Sequence, residues 1–139
     1  MDTVTHDDTA VRLRRAVTRL NRKLRQSSLA GVSPTQASLL GVIDRLGRPS
    51  LGDLATAEQV QPPTVTRLVR DLEGAGLLER VRDAHDGRCT RVVLTARGRR
   101  EVERIRRRKD EFLERALAHV DRSRAGELVA LLEALVEAE

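Results

Sequence analysis

Residues 77–98 read LLERVRDAHDGRCTRVVLTARG. Two short runs, 77–82 and 89–94, are rich in apolar and β-branched residues and flank the polar segment Asp83-Ala84-His85-Asp86-Gly87-Arg88. That order predicts an antiparallel hairpin with a polar, glycine-containing tip. Thr95 follows as the cap of a helix. On both sides the apolar period changes from two to about 3.6, so the hairpin is expected to be the only β-element of a mainly α chain.

Upstream, apolar residues Leu13, Val17, Leu20 and Leu24 predict one amphipathic helix from Asp8 to about Leu29, stopped by Gly31. Ser33-Pro34 opens a second helix that runs to about Leu46 and is closed by Gly47. Ser50, with Asp53 three residues on, forms a variant capping box for a short third helix whose inner face is Leu51, Leu54 and Ala55. Pro62-Pro63 cannot lie inside a helix, so the third helix ends near Glu58 and a fourth begins at the prolines. That fourth helix carries Val65, Leu68, Val69 and Leu72 and ends at Gly74 or Gly76.

Counted from Leu51, a helix-turn-helix wants apolar residues at its fourth, tenth, fifteenth and eighteenth positions and a small one at its fifth. Leu54, Val60, Val65, Leu68 and Ala55 meet that pattern. Two helices crossing steeply need a small side chain at closest approach and apolar ones along the shared face. Glu58 and Gln59 depart from it, standing where an apolar residue and a glycine are usual, so the turn is expected to take a somewhat different path.

A helix-turn-helix followed by Gly-Leu-Leu, a strand, a basic tip, a second strand and Leu-Thr is the order of a winged helix. The string at 77–98 resembles the wing of MarR-family transcription regulators, which carries Asp-x-Arg and then Leu-Thr. Here these are Asp86-Gly87-Arg88 and Leu94-Thr95, with Gly98 following. The flanking helices agree, so the resemblance covers essentially the whole chain. It implies a single domain, 1–139, mainly α with a small β-hairpin wing. Residues 34–94 would form a winged helix-turn-helix DNA-binding lobe, flanked by N- and C-terminal dimerisation helices at 8–30 and 95–139.

Groove chemistry then assigns the side chains. A recognition helix presents its first turns to base edges in the major groove, which selects Gln61, Pro62, Pro63, Thr64, Thr66 and Arg67. Arg67 suits a bidentate contact to guanine and Gln61 an adenine or a phosphate. The two threonines suit either, and the proline rings suit thymine methyls. Arg70, one turn on, is expected at a phosphate. On the wing, Arg88 is the candidate for insertion into the minor groove, whose narrow stretches concentrate negative potential. The resemblance implies that Asp86 pairs with Arg88 and orients it, with Arg82, His85 and Arg91 near the DNA backbone.

The net charge of +5 is unevenly spread: residues 1–60 balance at +3, 61–109 at +7 and 110–139 at −5. A polyanion is drawn to the middle segment and repelled by the last. The densest run, Arg104 to Lys109, wraps all sides of a helix, so Arg104, Arg107 and Arg108 are expected to be a solvated face or partners of the acidic C-terminus. After Thr95 a long helix carries Val102, Ile105, Phe112, Leu113, Ala116, Leu117 and Val120. A last helix, opening at Asp121 or Ser123, carries Leu128, Leu131, Leu132 and Leu135.

These apolar stripes, with that of the first helix, fit the two-fold dimer the resemblance implies, and a dimer sets a palindromic operator in double-stranded DNA. The resemblance also implies a small-molecule effector, often an aromatic anion, held between the dimerisation helices and the DNA-binding lobe. With Phe112 as its one aromatic residue, the chain offers little for a ring to stack on.

Other functions are disfavoured. His6, His85 and His119 are scattered, no metal-ligand cluster or phosphate-cradling glycine loop is present, and Cys89 is too few for a structural zinc site. Neither an enzyme nor a cofactor is expected. Cys89, read as lying on a strand, is expected to be structural. The polar N-terminus MDTVTHDDTA and the lack of an apolar run near ~18 residues give the expectation of a cytoplasmic protein without a membrane partner. The leading reading is a dimeric sequence-specific regulator, a repressor released by an effector. The alternatives are an architectural DNA-binding protein of low sequence specificity and a winged-helix protein-interaction module.

Overall fold

The computed structural model describes residues 3–28 and 31–138, with side chains from Asp8 onward. Its helices are α1 (Thr3–Ser27), α2 (Pro34–Leu46), α3 (Leu51–Glu58), α4 (Pro62–Gly74), α5 (Ala96–Leu117) and α6 (Arg122–Glu137), and its strands are β1 (Leu78–Arg82) and β2 (Thr90–Leu94). The mainly helical chain with one hairpin is therefore as expected. The first helix starts five residues before Asp8, at Thr3, and its expected end at Leu29 lies outside the described residues. Each strand is one residue shorter than expected. Leu77 belongs to the turn, where its amide donates to Leu72, and Cys89 belongs to the tip rather than to a strand.

The described residues form two compact units, α1 with the chain from Arg107 onward, and Ser28–Arg106. In the second unit the helix starts obey local capping chemistry. Ser33 Oγ accepts from the Gln36 amide while Gln36 Oε1 accepts from the Ser33 amide, and Pro34 supplies a first-turn residue that needs no acceptor. Ser50 and Asp53 make the same reciprocal pair at 3.0 and 2.9 Å, so the variant capping box is real. The core of this unit is aliphatic: Leu39, Leu40 and Ile43 of α2, Leu54 of α3, Val65, Val69 and Leu72 of α4, Leu78 of β1 and Val92 of β2 are all essentially inaccessible. Each such side chain contributes roughly 1.5–3 kcal/mol of burial.

The turn between α3 and α4 keeps a left-handed residue although no glycine stands there. Gln59 takes the left-handed conformation, φ 56° and ψ 42°, that a glycine would take there. Its amide donates to Thr56 and that of Val60 to Ala55, closing the helix end, while Val60 packs against the core. Glu58 accepts from the Ser38 hydroxyl at 2.9 Å, which ties the end of α3 to α2.

The hairpin pairs Leu78 with Leu94 through Arg82 with Thr90. Its second strand has another neighbour, because the Val92 amide donates to Pro49 and Ser50 bridges to Arg91, so the residues just before α3 act as a third strand stub. At the far end Thr95 locks the hairpin to α5. Its amide donates to Leu77, its hydroxyl donates to Gly76 at 2.6 Å, and the same oxygen accepts from the Gly98 amide at 3.0 Å. Gly98 is required here: a Cβ at this position would fall on the carbonyl of Leu77, deep inside van der Waals contact. Because Gly98, Val102 and Ile105 are buried, this unit extends to Arg106 rather than ending with the hairpin at Leu94.

In the other unit, α6 opens at Asp121, whose carboxylate accepts from the Ser123 amide, and has no buried residue. Every exposed large apolar side chain among the described residues except Leu46 lies in this unit. They include Leu13, Val17 and Leu20 of α1 and Leu128, Leu131, Leu135 and Val136 of α6, the last 81% exposed.

Candidate nucleic-acid interface

Helix α4 has two faces a half-turn apart. Val65, Leu68, Val69 and Leu72 are buried, so at 100° per residue Pro63, Thr66, Arg67 and Arg70 share the opposite face, and all four are exposed. Thr64 falls at the boundary and is half-buried, while Gln61 and Pro62 stand exposed at the helix start. Gln61 occupies the cap position without a side-chain cap bond, which leaves its amide group free of that duty. The Thr66 hydroxyl donates to the Pro62 carbonyl at 3.1 Å, so it meets any partner as an acceptor. Neither Arg67 nor Arg70 has an ion-pair partner among the described residues.

The wing tip is held by carboxylates. Asp83 Oδ1 accepts from the amides of His85 at 2.8 Å and Asp86 at 3.3 Å, and Asp86 Oδ1 accepts from the Arg88 amide at 3.0 Å. The implied pairing of Asp86 with the Arg88 side chain is thus corrected: Asp86 grips the main chain of Arg88, and the guanidinium has no ion pair among the described residues. A short polar side chain two residues before an amide closes an Asx turn more readily than it meets a guanidinium on a long stem. Arg82, His85, Asp86 and Arg88 are all exposed.

Arg91 differs from the other wing cations. Its Nε donates to Asp83 Oδ2 at 2.6 Å, its Nη1 donates to the Arg48 carbonyl at 2.9 Å, and Asp53 lies 3.8 Å away. Expected near the DNA backbone, its guanidinium is instead committed to bracing the tip against the start of α3. The amide of His85 first, and then Arg91, holds the Asp83 carboxyl below the usual carboxylate range, and Asp83 in turn raises Arg91. Asp53 is lowered mainly by its bonds from Ser50. Asp83 and Arg48 were passed over by sequence reasoning. With the hairpin register known, Asp83 is the diagonal neighbour of Arg91, since Val81 stands opposite Arg91.

The arginine run of α5 is also partly internal. Arg104 bonds Glu101 and the Ser28 carbonyl, the latter at 3.3 Å, and Arg106 meets Asp44 at 2.6 Å. Arg104 is therefore half-buried and paired with Glu101 one turn earlier, not part of a solvated face. Arg107 and Arg108 are exposed.

A family model, MarR family, matches residues 32–90. An uncharacterized HTH-type transcriptional regulator of Mycobacterium bovis is 36% identical over 109 residues, which cover 78% of this chain and 76% of the relative. A crystal structure of a Pseudomonas aeruginosa protein assigned as a transcriptional regulator superposes with a TM-score of 0.83 at 35% identity, covering 97% of each chain. A point mutant of Staphylococcus aureus MepR, bound to an oligodeoxyribonucleotide, shares the fold at a TM-score of 0.69 and 24% identity, covering 94% of this chain and 96% of that one. With these matches and a winged helix-turn-helix fold, the chain belongs to the MarR family of helix-turn-helix transcriptional regulators.

Proposed function

We propose that this chain is a homodimeric, sequence-specific transcription regulator that reads a palindromic site in duplex DNA. The observation that carries the reading is the outer face of α4, where Arg67 and Arg70 stand exposed and without ion pairs among the described residues beside Thr66 and the exposed Gln61. Free guanidinium and amide groups on the first turns of such a helix are the groups that major-groove edges recognise. The MepR structure, which shares the fold, is bound to an oligodeoxyribonucleotide.

In this reading Gln61, Pro62, Pro63, Thr64, Thr66 and Arg67 face bases, Arg70 and Arg82 face phosphates, and Arg88 enters the minor groove. Arg91 and Asp86 shape the wing from within. Dimerisation is supported by α6, with no buried residue, and by the exposed apolar side chains of α1, a surface that costs solvation free energy until a partner covers it. Repression relieved by a small-molecule effector rests on family membership.

Selection of bound sites from random duplexes, followed by affinity for selected and scrambled sites at one salt concentration, tests the reading. A tenfold or greater preference for a palindrome is expected. A ratio near one would replace it with an architectural role, and the absence of salt-sensitive binding would replace it with a protein-interaction module. Sedimentation of the free chain tests the dimer.

A further inference from the structure

Between the wing and the start of α3 lies a cleft of about 310 Å³, lined by Arg48, Arg82, Asp83, Ala84, His85 and Arg91. We infer that this cleft seats one backbone phosphate of the bound duplex, with Arg48 and Arg82 as its charged contacts; the inference rests on the DNA-binding reading above. The charges inside it are sorted. Arg91 is spoken for by Asp83 at 2.6 Å, and that pair forms a neutral wall. Arg48 and Arg82 are exposed and have no ion pair among the described residues, so the cleft keeps an excess of two positive charges. His85 adds a ring N–H from the tip.

These donors come from three separate segments: the loop before α3, the end of β1 and the wing tip. Arg48 and Arg82 both line this one hollow, and two cations beside a single hollow suit a compact tetrahedral oxyanion, whose oxygens accept several charge-assisted hydrogen bonds at once. The cleft also has a fixed geometry. The Arg48 carbonyl and Asp83 are both held by Arg91, so the two walls are braced before any ligand arrives. The brace uses the Arg48 carbonyl and leaves its side chain unassigned, which makes Arg48 the residue to change.

Arg48→Ala in the full chain should leave the thermal midpoint unchanged and weaken binding to selected and scrambled duplexes by the same factor, since a phosphate contact carries no sequence information. The slope of log affinity against log salt should fall by about 0.9 per chain bound. The unsubstituted chain should therefore lose about 3-fold more affinity per phosphate than the variant between 50 and 200 mM salt. Arg48→Lys, which keeps the charge, should restore the slope.

An unchanged slope in Arg48→Ala, with the unsubstituted chain binding normally, would overturn the seat and leave the proposed function standing. So would a loss confined to the selected duplex. Failure of the unsubstituted chain to bind any duplex in a salt-sensitive way would overturn both. A titration with inorganic phosphate, followed through the His85 ring resonances, separates the two sources of phosphate. Saturation at millimolar phosphate that Arg48→Ala abolishes, in a variant whose DNA slope is unchanged, would assign the cleft to a free anion and overturn the inference.

Discussion

Asp83 and Arg91 meet across the base of the wing with Oδ2 2.6 Å from Nε, and through that contact the shape of the tip is tied to the start of the helix-turn-helix. The other oxygen of the same carboxylate accepts from the amides of His85 and Asp86. Removing the carboxylate in Asp83→Ala leaves those amides and the guanidinium without their acceptor, whereas Asp83→Asn keeps an acceptor for the turn and loses the charge. Amide exchange at residues 85–89 should accelerate strongly in the alanine variant and mildly in the asparagine variant, and DNA affinity should fall in the same order. Equal protection in both variants would show that the carboxylate does not organise the tip.

The same bonds predict an acid dependence. The folded-state pKa of Asp83 is depressed by the His85 amide and Arg91, and that of Asp53 by Ser50 and more weakly by Arg91. A depressed carboxylate contributes stability that is fully present above its unfolded value of about 3.9 and is lost as pH falls through the lower folded value. Stability should be level from neutral pH to about 5 and decline below about 4, with solvent screening keeping the share of the exposed Asp53 small. Thermal midpoints of the unsubstituted chain, Asp53→Asn and Asp83→Asn across pH 3–6 check this: each variant should show a shallower acid decline, and parallel curves would refute the assignment.

Two glycines in the same unit should respond oppositely to alanine. At Gly98 the added methyl meets the Leu77 carbonyl, and α5 must shift away from the hairpin junction, which overpacking data place at roughly 1–3 kcal/mol or more. At Gly41, inside α2, nothing lies within 4 Å of the new atom, so alanine should stabilise by about 0.5–1 kcal/mol through helix propensity. Denaturant midpoints of the two variants measure both signs.

Arg88 is exposed, and its main chain is fixed by Asp86, so the base of a long cationic side chain is held while its end is free to enter a groove. Arg88→Ala should weaken binding most on sites that are A·T-rich beneath the wing and lower the salt slope by about one unit. Unchanged affinity on those sites would exclude insertion.

What the sequence disclosed was local. Ser50 with Asp53, Ser33 with Gln36, the Pro62-Pro63 helix start and the Thr95 cap each follow from a rule spanning a few residues, and each appears in the structure. The contact of Asp83 with Arg91 depends on hairpin register and on a diagonal between strands, which composition does not encode. Arg48 sits in a connecting loop, where no periodicity marks it, and only the third strand stub brings it beside the wing. Gln59 misled for the opposite reason. Glycine is preferred in the left-handed region, but a penalty of about 1–2 kcal/mol for glutamine is tolerable where two amides close the helix and Val60 packs behind it.

The exposed face of α4 yields the sharpest test of sequence reading. Arg67 lies one helical turn past Pro63, opposite the buried Leu68–Val69 face, with no ion pair among the described residues to hold it back. A guanidinium there can donate two parallel hydrogen bonds to a guanine, whereas a phosphate would accept it equally well on any sequence. The two roles separate cleanly by variant. Arg67→Ala should cost about 1–3 kcal/mol on the selected site, relax preference at a single base pair in each half-site, and leave scrambled-duplex affinity nearly unchanged. Arg67→Lys should not recover the base preference, because an ammonium lacks the planar fork. A uniform loss on selected and scrambled duplexes would instead make Arg67 a phosphate contact and move the specificity to Gln61 and the threonines.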